Sequence, residues 1–314
     1  MTFPVRSGVN DVSAGMYEAH LRMSSFCVRL ASFMPDDHDA ETTLLRQKDY
    51  EQPSAFTPEN LLREARRQKA LSEKSVPEVC LLDPDGDIVR HLKATGAARR
   101  NPHWPGYHTT LYDFDLDGRT VGVVGCAVGA SFAVLVAEQL FASGCRLLVS
   151  VTSSGQIVPQ GAPPYFVLIE KALRDEGTSR HYRPPADDYA RLRPALRESL
   201  REAFDDCPQP VHPGAVWTTD APFRETEAAI AAAERAGLLA VEMEAAALYA
   251  FAEARERPVV CLAHVTNQMA TVEGDFEKGE ADGSHAALRV VAAVAHALAP
   301  LEASSRNGSP LPGE

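Results

Sequence analysis

At 314 residues, with 45% hydrophobic and 24% charged side chains, the chain has the balance of a globular protein and the length of one large α/β domain with extensions. Its formal net charge of -12 disfavours nucleic-acid backbones and anionic membranes as partners, because both repel an acidic surface at long range. Without a basic-then-apolar leader, a run of ~20 apolar residues or a CxxC pair among its six cysteines, the sequence predicts a cytoplasmic protein with neither disulfides nor a zinc site.

In chain order, residues 1–75 read as an N-terminal extension with helices at Glu18–Phe33 and Pro58–Leu71, the second capped by Thr57. From Val76 onward, short β-branched runs alternate with helical patterns. Strands are predicted at 79–82, 120–125, 146–152, 165–169, 215–219, 238–242 and 259–266. Helices are predicted at Ala130–Ser143, Asp187–Phe204, Pro222–Ala236, Glu244–Arg255 and Gly283–Leu298. Strand runs that are apolar on every residue imply burial on both faces, and the intervening helices imply parallel pairing. The expected architecture is a single three-layer α/β domain over 76–300, with a central, mostly parallel mixed sheet flanked by helices. The Ser/Pro/Gly-rich stretch 301–314 is expected to be a disordered tail.

In such sheets ligands bind outside the carboxyl ends of the strands. The strand at 120–125 runs into Cys126-Ala127-Val128-Gly129, where a glycine turn before a helix can bring backbone N–H groups close to a ligand or merely pack. The strand at 146–152 ends in Thr152-Ser153-Ser154-Gly155, a small-residue stretch able to hold an oxyanion or a water, or to satisfy its own backbone. The strand at 238–242 ends in Glu242-Met243-Glu244, ahead of a very apolar helix. Either acid could simply cap that helix, but the apolar flanks imply that at least one of them is buried. A buried charge without a partner would cost several kcal/mol, roughly, and a cis-diol would supply two matching donors; Glu244 is the favoured acceptor. Asn267, at the end of the strand at 259–266, can meet a base edge or serve a turn. His264 reads as a satisfied core histidine. Asp220 is expected to cap a helix starting at Pro222, where Phe223 could stack on a base and Arg224 could contact a carbonyl.

Taken together, VGVVGCAVGAS (121–131), LVSVTSSGQI (148–157), ALRDEGTSRHYRPP (172–185), VWTTDAPFRET (216–226) and LLAVEMEAAALYAFA (238–252) resemble the nucleoside phosphorylase family, in its uridine phosphorylase and hexameric purine nucleoside phosphorylase branch. The resemblance covers about residues 79–298. It implies cleavage of a nucleoside's N-glycosidic bond, no cofactor, and inorganic phosphate as co-substrate. Met243 and Glu244 would hold the ribose, and Asn267, Phe223 and Arg224 the base. Gly129, Ser153, Ser154, Gly155 and Arg90 would hold phosphate. Two departures qualify the expectation. Ser150 stands where family phosphorylases carry a phosphate-gripping arginine, which a serine cannot replace. Nucleosidases of the superfamily lack that arginine and activate water with an acid, a part open here to Asp87 or Asp85. Asn267 stands where adenosine-cleaving members carry an aspartic acid, which favours a 6-oxopurine or a pyrimidine. Hydrolysis, or nucleoside binding without turnover, are therefore the alternatives. The resemblance also implies homodimers assembling into hexamers, with 172–185 at the dimer interface.

Overall fold

The structure, a computed structural model, describes residues 48–269 and 273–306, so the helix predicted at Glu18–Phe33 lies outside the described residues. The chain divides at Glu51/Gln52, and every element below belongs to the unit that starts at Gln52. Helix α1 (Pro58–Lys69) begins as predicted, with the Thr57 hydroxyl accepting the Asn60 N–H at 3.2 Å. It buries Leu62 and Ala65, and Lys69 Nζ donates to the carbonyls of Pro105 and Gly106 at 2.8 and 2.6 Å. The boundary expected at 75/76 therefore falls inside this unit.

The strands are β1 (Val79–Asp83), β2 (Arg99–Arg100), β3 (Leu111–Leu116), β4 (Arg119–Gly125), β5 (Leu147–Gln156), β6 (Tyr165–Asp175), β7 (Tyr189–Arg191), β8 (Val211–Thr219), β9 (Leu238–Glu242) and β10 (Val259–Asn267). The remaining helices are α2 (Asp87–Ala94), α3 (Ala130–Ala142), α4 (Pro194–Ser199), α5 (Glu227–Arg235), α6 (Ala245–Ala254) and α7 (Ser284–Arg306). The sheet is mixed and flanked by helices, as expected, and part of it closes on itself. Strand β10 pairs with both β6 and β5, which closes β5, β9, β8, β6 and β10 into a ring. Strands β1, β4, β3 and β2 continue outward from β5 as an open wing. The ring strands β5, β6, β8 and β10 have 10, 11, 9 and 9 residues, long enough for strand twist to bring two edges together and leave neither unpaired. Tyr249 of α6 ties the ring to its cover: its hydroxyl donates to the Ile169 carbonyl at 2.6 Å and accepts the Cys261 N–H at 3.0 Å.

Other local expectations need correction. Asp187–Phe204 is not one helix but β7 followed by α4, because a proline at position 194 fits only a first turn and holds Arg193 extended (ψ 130°). Pro222–Arg224 forms a 3-10 turn, and α5 starts later with Thr226 as its cap, accepting the Ala229 N–H at 3.3 Å. Asp220 caps neither; it accepts the Gly177 N–H at 2.9 Å. The backbone of α7 is helical through Arg306, and positions 307–314 of the expected tail lie outside the described residues.

Candidate active site

Strands β1, β4, β5 and β10 are parallel, so their carboxyl ends share one edge. Strand β9 meets β5 antiparallel at its tip, Gly155 opposite Val241 and Gln156 opposite Ala240. The carboxyl ends of β5 and β9 thus run into each other head-on, which brings Thr152–Gly155 and Glu242–Glu244 into one neighbourhood.

The two glutamates have divided their work. Glu242 is the helix cap: its Oε2 accepts the N–H groups of Glu244 and Ala245, each at 2.7 Å, and its Oε1 accepts the Thr218 hydroxyl. Thr218 in turn accepts the Ala246 N–H at 3.0 Å. Glu244, only 1% exposed, turns away from the helix, and its Oε1 accepts the Gly129 N–H at 2.7 Å. Its Oε2 is buried without a hydrogen-bond partner among the described residues. Burial and the neighbouring Glu242 charge push the Glu244 carboxyl well above the usual carboxylate range, while the Gly129 amide and the nearby Thr152 hydroxyl pull it part of the way back. Gly129 can offer its N–H because the turn holds it at φ +91°, a backbone that side chains rarely adopt. Met243 lies half-buried between the two acids.

The stretch Ser153–Gly155, expected as a loop, continues strand β5 and pairs with β10, Ser153 opposite His264 and Gly155 opposite Asn267. At Gly155 a Cβ would sit 2.3 Å from Met269 Sδ, so the small residue lets Met269 pack flat on the strand. Ser150 and Ser154 are buried with hydroxyls that lack partners among the described residues. Ser153 is engaged by Asp85: its N–H donates to Asp85 Oδ2 at 2.7 Å and its hydroxyl to Oδ1 at 2.8 Å.

Asp85 belongs to a carboxylate-rich turn between β1 and α2. Asp83 accepts the Gly86 and Val89 N–H groups at 3.1 and 2.9 Å and so fastens the start of α2; burial raises its carboxyl to about 7. Asp87 is clamped between Arg90 and Lys278. A cavity of about 20 Å³ lies among Asp83, Asp85, Asp87, Ser153, His264 and Lys278, room for about one water. His264 forms part of this wall as a neutral core residue. It stacks on Phe166 at 4.3 Å and pairs with Gln209 at 3.2 Å, and burial, with Lys278, lowers its pKa to about 4.

The structure thus gathers Glu244, Met243, Gly129, Ser153, Ser154, Gly155, Asp85 and Asp87 around the β5 tip. Asn267 also lies there, but its amide is already engaged: Nδ2 donates to Thr266 Oγ1 at 3.2 Å and to the Ser154 carbonyl at 3.4 Å, and Oδ1 accepts the Met269 N–H at 3.0 Å. Arg90 is exposed and turned back on Asp87 and the Asp85 carbonyl rather than toward Ser153. Phe223 is fully exposed on its 3-10 turn, and Arg224 beside it is exposed too. Thr152, the first hydroxyl of the small-residue stretch, is at the site as expected, whereas Lys278 and Met269 join it without being anticipated. Lys278 stands 191 positions from Asp87, and no local pattern connects them.

Residues 78–299 match the family model described as the phosphorylase superfamily. Guanosine phosphorylase of Halorubrum lacusprofundi is 26% identical over 174 residues, which is 54% of this chain. The chain spans just under two thirds (66%) of that relative's length. A DeoD-type purine nucleoside phosphorylase of Myxococcus xanthus is 29% identical over 158 residues, 50% of this chain and 66% of the relative. Among solved structures, uridine phosphorylase from Vibrio fischeri ES114 superposes with a TM-score of 0.61 at 17% identity, covering 74% of this chain and 99% of that one. At that identity the superposition shows a common fold.

Proposed function

The chain belongs to the phosphorylase superfamily, and from that premise we propose that it cleaves the N-glycosidic bond of a nucleoside, with Glu244 holding the ribose and phosphate as the attacking group. The observation that carries this reading is the buried Glu244 carboxylate with one oxygen on the Gly129 amide and the other without a partner among the described residues. Two vicinal hydroxyls would donate to such a carboxylate and relieve the cost of its ionisation. As the base departs, C1′ gains positive character, and an ionised Glu244 close to the ring stabilises that state more than the ground state. Phosphate would approach C1′ from the Ser153–Gly155 side. Asn267 in place of an acid favours a 6-oxopurine or pyrimidine base, in keeping with the guanosine and uridine named for two of the similar proteins. Association into dimers and hexamers, with 172–185 between subunits, is part of the same proposal.

A second reading, hydrolysis, is favoured by a specific observation: Ser150 carries no guanidinium, and Arg90 is turned onto Asp87. The test is release of free base from inosine, guanosine and uridine with and without phosphate, alongside Glu244→Gln. Phosphorolysis predicts release that depends on phosphate and yields ribose 1-phosphate. Loss of at least about 100-fold in kcat/KM is expected for Glu244→Gln. Equal release without phosphate would transfer the assignment to hydrolysis. Full activity of Glu244→Gln would refute both.

A further inference from the structure

The Asp85 carboxylate occupies the Ser153 donors as a bound oxyanion would. Its two oxygens take the Ser153 N–H at 2.7 Å and the Ser153 hydroxyl at 2.8 Å, two donors at this end of β5 suited to an anion. Hydrogen bonds to an ionised acceptor are about twice as strong as neutral ones, roughly, so a second anion has to displace a well-matched ligand that is covalently attached to the chain. The surroundings add to the cost. Asp83 and Asp87 lie on the same turn, and the cations of this corner, Lys278 and Arg90, both pair with Asp87. A phosphate ion arriving at Ser153 would therefore meet carboxylate repulsion before it met a cation.

We infer that Asp85 is a specificity-determining residue: as an internal competitor for the Ser153 donors, it sets the weak affinity of this site for phosphate and so governs the choice between phosphate and a neutral acceptor. The inference rests on reading the β5 tip as the site where the attacking group is held, and it says which residue controls that choice. It requires no covalent step by Asp85. The carboxylate either stays on Ser153, leaving room for a water in the adjoining cavity of about 20 Å³, or swings away and exposes the two donors.

The test is calorimetric titration of inorganic phosphate into the full-length protein at fixed pH and ionic strength, with no nucleoside present. Asp85→Ala should bind phosphate at least tenfold more tightly than the native protein. Adding Ser153→Ala to that variant should reverse at least threefold of the gain, because one of the uncovered donors is gone. If Asp85→Ala fails to fold, Asp85→Asn decides the matter. It keeps the shape but loses the charge and should bind phosphate at least threefold more tightly than native. A soluble variant that binds phosphate no more tightly than the native protein overturns the inference. So does a gain that Ser153→Ala leaves untouched. Because no sugar enters the experiment, its failure leaves the Glu244 reading standing, and failure of the Glu244 assay leaves this result interpretable.

Discussion

Glu242 and Glu244 stand two positions apart, both buried, yet they respond to different needs. Glu242 meets two N–H groups and a hydroxyl and completes the start of α6; Glu244 meets one N–H and keeps an oxygen in reserve. The sequence showed both acids, with capping and sugar binding as alternatives, but not that one acid takes each role, because that division turns on Thr218 reaching Glu242 from a strand 24 residues away. The raised Glu244 carboxyl has a consequence for stability. A carboxyl raised in the folded state binds its proton more tightly there than in the unfolded chain, so it lowers stability as pH climbs from the ordinary carboxylate range through the raised value. Replacing it with an amide removes that term. The melting temperature of Glu244→Gln should therefore gain on that of the native protein as pH rises from about 5 to about 8. A difference that stays flat or falls over that range would mean that Glu244 is ionised and satisfied in the native protein. His264, lowered to about 4 by burial, titrates the opposite way in both proteins and cancels in the comparison.

Among the elements, the start of α6 carries the heaviest polar load. Thr218 donates to Glu242 and accepts from Ala246, so Thr218→Val would leave a buried carboxylate oxygen and a buried N–H unpaired at nearly unchanged volume. A loss of about 1–3 kcal/mol is expected in urea unfolding; a loss below about 0.5 kcal/mol would show that Glu242 does not depend on this hydroxyl. Strands β1, β5, β9 and β10 were legible because each carries an unbroken apolar run, the mark of burial on both faces. Strand β3 was not, since LYDFDL alternates and is only half buried. Helix α2 escaped notice because DPDG looks like a turn; the helix depends on Asp83 gathering N–H groups from residues three and six positions on. The span 187–204 misled by composition, its helix formers outweighing a proline in the middle.

At the scale of the whole molecule, the order of strands and helices could be read, and the closing of the ring could not. Closure depends on β10 pairing with β5 on one side and β6 on the other, a register that no single segment encodes. That closure places the β5 tip against the β9 tip, and with it the Glu244 carboxylate beside Gly129 and Thr152. The most direct measurement of what this arrangement is for compares kcat/KM for a ribonucleoside and its 2′,3′-dideoxy analogue, in the native protein and in Glu244→Gln. A buried carboxylate that grips the vicinal hydroxyls predicts that the native protein rejects the dideoxy analogue by at least about 100-fold, since polar groups left unpaired in a site are strongly penalised. It also predicts that most of this discrimination disappears in Glu244→Gln. Equal use of both nucleosides by the native protein, or undiminished discrimination in the variant, would contradict the assignment of Glu244 to the sugar.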